Sequence, residues 1–163
     1  KKEEEVKEGK TLKNKISIKA PIKGEAVPLS EVNDATFSEE IMGKGIAIIP
    51  TDDNVVSPID GTVSMVFNTK HAIGLKTDDG AEILIHIGLD TVKLEGEHFT
   101  TFVNSGDRVK VGDKLVQFDR KKIKDKGYDI ITPIIITNSS DYLDIIPNNV
   151  ASVNPGDEVL TIL

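Results

Sequence analysis

The stretch Lys70-His71-Ala72-Ile73-Gly74-Leu75-Lys76-Thr77-Asp78-Asp79-Gly80-Ala81-Glu82-Ile83-Leu84-Ile85-His86-Ile87-Gly88 decides how this chain is read. Two β-branched, apolar runs flank Thr77-Asp78-Asp79-Gly80, and a turn rich in Asp and Gly between such runs predicts a β-hairpin. If the loop has an even length, centred between Asp78 and Asp79, His71 and His86 stand directly opposite each other. Directly paired Cβ atoms lie about 4.5–5.5 Å apart. A three-residue loop shifts the register by one and sends the rings to opposite faces, unless a bulge corrects it.

The rest of the chain has the same texture. Isoleucine and valine together number 36, against 10 leucines and 7 alanines. Branching at Cβ favours strands over helices. Strands are expected at Ile16–Ala20, Gly24–Pro28, Gly45–Pro50, Gly61–Val66, Ala72–Lys76, Glu82–Ile87, Phe99–Phe102, Lys114–Phe118, Ile130–Ile136 and Glu158–Leu163. Asp34–Met42 and Asp119–Lys126 carry short helical signals, the second with an Asp cap. The expected class is all-β: an antiparallel sandwich or barrel with one or two short helical turns. Ala20-Pro21-Ile22-Lys23-Gly24 recurs as Ser57-Pro58-Ile59-Asp60-Gly61, and Gly-Asp precedes a strand at 106, 112 and 156. Plain turn chemistry accounts for the echo; duplicated hairpin units account for it more fully.

Composition excludes several functions. There is no Cys, hence no disulfide framework, thiol chemistry or Cys-ligated zinc. The net charge is −7, which disfavours a nucleic-acid partner. No apolar run approaches about 18 residues, and no signal peptide is evident, so a cytoplasmic setting is expected. Lys1–Lys15 hold only Val6 and Leu12 as apolar residues and are expected to form a charged tail or linker before a single domain over 16–163. The chain starts without Met, as a fragment or a trimmed product would.

Three readings of the His71–His86 pair stand side by side. Both can be half-exposed strand residues with no joint role. They can bind a metal, although Asp90 is the only nearby third ligand and a resident site needs more. Or one imidazole can attack a phosphoryl group while the other donates to its oxygens. Thr69, two residues before His71, can fix a ring tautomer. Gly88 would let a partner's backbone approach, and Asp90 could meet a partner's cation. Phe37, Ile41, Met42, Phe67 and Val92 offer an apolar docking surface. His98 lies in a polar turn and is expected to be solvated. Neither a biotinyl or lipoyl carrier, which needs a Lys at a hairpin tip beside Met, nor a zinc hydrolase finds its residues here.

Longer motifs sharpen the choice. Ile83-Leu84-Ile85-His86-Ile87-Gly88-Leu89-Asp90-Thr91-Val92 resembles the active-site signature of the glucose-type enzyme IIA family of the bacterial phosphoenolpyruvate-dependent sugar phosphotransferase system. Phe37 to Ile48, Val56 to Val63, Thr69 to Gly74, Gly106 to Asp119 and Thr132 to Asn138 are similar to its other segments, so the resemblance runs from about Ile16 to Leu163. It implies an antiparallel sandwich of duplicated hairpins. It also implies a relay: the histidine phosphocarrier protein HPr phosphorylates His86, and the group passes to a cysteine of the EIIB domain of a sugar permease. His71 would stabilise the phosphoryl group, Thr69 would orient His71, and Asp90 matches the acidic position after the active His. No cofactor is implied, and zinc only if a partner bridges it to His71 and His86. Some members also regulate transporters or enzymes. The free enteric form carries an amphipathic N-terminal membrane segment that this charged tail does not resemble, so no direct membrane insertion is expected. Related domains occur fused to permeases.

Overall fold

The computed structural model describes residues 15–148 and 151–163. The tail expected over 1–15 therefore falls, apart from Lys15, outside the described residues. Fourteen strands are described: β1 (Ile16–Lys19), β2 (Gly24–Val27), β3 (Lys44–Pro50), β4 (Asn54–Val56), β5 (Gly61–Val66), β6 (Ala72–Thr77), β7 (Glu82–His86), β8 (Phe99–Thr101), β9 (Arg108–Val109), β10 (Lys114–Phe118), β11 (Thr132–Ile136), β12 (Ile145–Pro147), β13 (Ser152–Val153) and β14 (Glu158–Ile162). Two short helices accompany them, α1 (Ala35–Ser38) and α2 (Arg120–Asp125). Asp34 and Asp119 cap them, each carboxylate accepting a main-chain N–H of the first turn.

All ten expected strands are present, as is the Asp cap of the second helix. The four unforeseen strands, β4, β9, β12 and β13, are two or three residues long. An eight-stranded sheet runs β13-β2-β3-β11-β7-β6-β5-β9, and two three-stranded sheets run β1-β14-β12 and β4-β10-β8. Every pairing is antiparallel. The main core lies between the large sheet and the small ones, with Ile48, Ile73, Ile85 and Ile134 meeting Ile18, Val116 and Leu160. The outer face of the large sheet carries a second cluster, in which Leu29, Val32 and Phe37 cover Ala47, Ala72, Leu84 and Ile135. Cover on both faces buries every residue of β11, Thr132 and Pro133 as well as the three isoleucines.

The echo in the sequence is a duplication in space. Ser17 pairs with Thr161, Ile18 with Leu160 and Lys19 with Glu158; Asn54 pairs with Gln117, Val55 with Val116 and Val56 with Lys114, with the register shifting at the same place. Gly24 faces Val153 as Gly61 faces Val109. The two units also clasp each other: Lys19 N–H donates to the Pro58 carbonyl at 3.0 Å, and Val56 N–H donates to the Pro21 carbonyl at 2.8 Å. An approximate two-fold axis therefore passes between β11 and β7, and the order of the large sheet reads the same from either edge.

The Gly-Asp turns secure this arrangement. Gly106, Gly112 and Gly156 sit at φ +96, +95 and +97, where a side chain is strained. In each turn the following Asp carboxylate accepts the main-chain N–H three residues earlier, at Asn104, Lys110 and Asn154. The Asp113 and Asp157 carbonyls then accept Ser57 N–H and Ala20 N–H, both at 2.7 Å. Gly112→Ala and Gly156→Ala are expected to lower stability by similar amounts, about 1–2 kcal/mol each. Urea unfolding midpoints check both the cost and its equality.

Candidate active site

The β6–β7 hairpin turns on three residues. Thr77 N–H donates to the Ala81 carbonyl at 2.9 Å, and Gly80 takes φ +99 between them. This is the geometry of a three-residue loop whose last residue is left-handed. The register consequently sets Ala72, not His71, opposite His86. The direct opposition of the two histidines expected from the sequence is thus corrected by one residue. The rings nevertheless meet, with centroids 4.9 Å apart and planes at 84°. No bulge in β6 or β7 achieves this. His71 stands one residue before β6, at the exit of a tight turn where Lys70 N–H donates to the Phe67 carbonyl and Lys70 takes φ +63. The alternation of a strand does not extend to that position.

The ring nitrogens have defined partners. His86 Nδ1 lies 2.7 Å from the Gly88 carbonyl. A carbonyl only accepts, so Nδ1 carries the hydrogen and neutral His86 keeps its lone pair on Nε2. His71 Nδ1 lies 2.8 Å from Thr69 Oγ1, which leaves its Nε2 free for another partner. His71 is buried, at 3% exposure. Desolvation, reinforced by the adjacent His86, lowers its pKa to about 4, opposed by the main-chain carbonyl of Thr69, which favours the protonated ring. Burial also lowers the pKa of His86, opposed by the Gly88 bond and by the negative charges of Asp34 and Asp90. Two neutral imidazoles result at physiological pH.

The surroundings agree with the sequence reading in part. Ile41, Met42 and Val92 are exposed, at 69%, 37% and 48%. Phe67 is half-buried with its ring 5.5 Å from His71. Phe37, expected on the docking surface, is core: it packs in the outer cluster with its ring 5.0 Å from His86, forming a wall of the site. Gly88 is also buried and presents no open surface to a partner's backbone. Its φ of +78 and the approach of Asp129 are what require glycine, since a Cβ there would lie 2.8 Å from the Asp129 carbonyl. Asp90 is exposed, with φ +60. Asp34, which the sequence marked only as the start of a helical signal, places a second carboxylate near His86. His98, expected to be solvated, is half-buried with an unpartnered Nε2. Among the described residues no group of three His, Asp or Glu is placed to hold a metal ion. None of their helices is long and apolar enough to cross a membrane.

The family model of the phosphoenolpyruvate-dependent sugar phosphotransferase system, EIIA 1, matches residues 16–142. The chain belongs to this family. It is similar to the glucose-specific EIIA component of Oceanobacillus iheyensis, 51% identical over 142 residues, covering 87% of this chain and 86% of that protein. It is also similar to the beta-glucoside-specific EIIBCA component of Bacillus subtilis, 53% identical over 145 residues, covering 89% of this chain but only 24% of that longer protein. Among solved structures, glucose permease IIA from Mycoplasma capricolum superposes with a TM-score of 0.83 at 39% identity, covering 91% of this chain and 96% of that one. EIIA members are phosphotransferases that work through a phosphohistidine, and this chain is one of them.

The lowered histidine pKa has a consequence for folding. The unfolded chain binds a proton at His71 near pH 6.5, whereas the folded chain resists it down to about pH 4. The unfolded state therefore takes up more protons as pH falls through this window, and stability falls with it. A loss of about 2–3 kcal/mol between pH 6.5 and 4 is expected from His71, and His71→Asn should lack that component. Urea unfolding of both proteins across this range measures the difference.

Proposed function

We propose that His86 accepts a phosphoryl group from phospho-HPr on Nε2 and passes it to a cysteine of the EIIB domain of a sugar permease. The observation that supports this most directly is the His86 Nδ1–H bond to the Gly88 carbonyl, which leaves the Nε2 lone pair free. That lone pair attacks phosphorus while the bond to the HPr imidazole breaks and its electron pair returns to HPr. The reverse chemistry delivers the group to the EIIB thiolate, and Nε2 recovers its lone pair.

His71 stabilises the transferred group. With the Thr69 hydroxyl donating to Nδ1, His71 carries its hydrogen on Nε2 and donates it to a phosphoryl oxygen. A neutral imidazole serves here because it holds a single defined hydrogen. Asp90 and Asp34 bring negative charge to the rim, suited to a cationic side chain on the partner. The exposed Ile41, Met42 and Val92, together with Phe67 next to His71, serve as the apolar docking rim, and the Phe37 ring packs against His86.

Residues 16–163 act as one carrier domain and 1–15 as a linker, on the cytoplasmic side of the permease that chooses the sugar. The B. subtilis relative is named as carrying EIIB in its own chain, whereas the O. iheyensis relative is named as EIIA alone. Regulated transporters or enzymes form a second class of partner, reading whether His86 is phosphorylated. Zinc between His71 and His86 would need a further ligand from such a partner.

Incubation with phosphoenolpyruvate, enzyme I and HPr should add one phosphoryl group that is labile in acid and stable in base. His86→Ala should take no label. His71→Ala should still be labelled on His86 but deliver it poorly to EIIB. Label on Ser or Thr would overturn the assignment.

A further inference from the structure

We propose that Thr91 and the main-chain carbonyl of Asp129 are positioning groups for phosphoryl transfer, fixing the peptides around Gly88 so that its carbonyl selects the His86 tautomer. The proposal rests on His86 being the acceptor. Gly88 has no side chain and sits at φ +78, so nothing of its own holds its carbonyl in one direction. Two hydrogen bonds do so, one on each flanking peptide. The Thr91 hydroxyl donates to the Ile87 carbonyl at 2.6 Å and fixes the Ile87–Gly88 plane. Leu89 N–H donates to the Asp129 carbonyl at 2.9 Å and fixes the Gly88–Leu89 plane. In a planar trans peptide the N–H and C=O point in opposite directions. Anchoring Leu89 N–H therefore aims the Gly88 carbonyl, which receives His86 Nδ1–H at 2.7 Å.

The anchors are themselves held. Thr91 is fully buried, and its methyl fills the space beside Gly88, where an added Cβ would lie 2.7 Å from it. The Asp129 carboxylate accepts Ile131 N–H at 2.9 Å, which sets the loop bearing its carbonyl. Ile87 N–H donates to the His71 carbonyl at 2.7 Å, so the same segment ties the two histidines together. A Thr bonding back four residues is common at a helical turn and often only structural. Here the peptide it holds is the one leading into the tautomer-selecting residue. If the Gly88 carbonyl swings away, part of the population carries its hydrogen on His86 Nε2, and that nitrogen then has no lone pair for phosphorus.

Nitrogen-15 NMR of histidine-labelled protein at neutral pH reads which ring nitrogen is protonated, without any partner. Wild type should show His86 as the Nδ1–H tautomer. Thr91→Val keeps the shape and removes the donor; it should give mixed tautomers and a kcat for phosphorylation by phospho-HPr about tenfold lower, with KM little changed. Thr91→Ser should restore both. A packing role would leave the tautomer unchanged and make Ser worse than Val, and either result overturns the proposal. If Thr91→Val does not fold, Asp129→Ala, which loosens the second anchor, should also mix the tautomers; an unchanged signal there overturns it equally. Absence of label on His86 in wild type would instead strike the acceptor assignment, which the tautomer measurement does not depend on.

Discussion

The loop Asp78–Gly80 sets a register on which the rest of the molecule depends. Because Gly80 accepts a left-handed conformation, Thr77 closes on Ala81, and β7 meets β6 with Ile83 against Leu75 and Ile85 against Ile73. All four of these side chains enter the main core. Leu84 then enters the outer cluster, and His86, two residues on, shares that face. A slip of one residue would exchange the faces and place an imidazole in the core. The turn thus fixes the packing of the central strand and the placement of His86 together.

Burial then sets the chemistry. An imidazolium in apolar surroundings would lose much of its hydration, so desolvation is the largest influence on both rings. Each ring in compensation has a hydrogen-bond partner two residues away, Thr69 for His71 and Gly88 for His86. Both partners are local in sequence, so they form along with the turns that carry them. The fold thus holds two neutral imidazoles in fixed orientations, with Nδ1 of each ring hydrogen-bonded.

The fold class was legible because β-branched residues and Gly-Asp turns report strands through the whole chain. The short strands were not legible, since two or three residues carry no periodicity and pair only because neighbouring turns bring them there. The register was missed by one because Asp78-Asp79-Gly80 suits loops of two or three residues, and only the conformation at Gly80 decides. The histidine pair was still identified, because His71 lies outside the strand where strict register ceases to apply. Phe37 was misread as surface: whether a Phe covers a sheet or faces solvent depends on how residues 28–43 fold back, which no local pattern encodes. Asp34, Thr91 and Asp129 were missed as site residues because their contributions depend on position, a charge near His86 and anchors for Gly88, and not on any reactive group.

Duplication accounts for the scaffold, and its breakdown accounts for the site. By the paired registers, His71 and His86 correspond to Lys44 and Ile135 in the other unit, so the histidine pair occurs once on a frame built twice. Beside His86 the units differ in one connection. Between β2 and β3 the chain is long and folds Leu29, Val32 and Phe37 over the outer face; between β5 and β6 it is a tight turn that delivers Thr69 and His71. The two connections converge on His86, with Phe37 at 5.0 Å on one side and His71 at 4.9 Å on the other. A symmetric fold would have covered that position twice or left it bare twice. Only the unequal connections leave this imidazole half-buried, dry enough to stay neutral yet still reached by solvent.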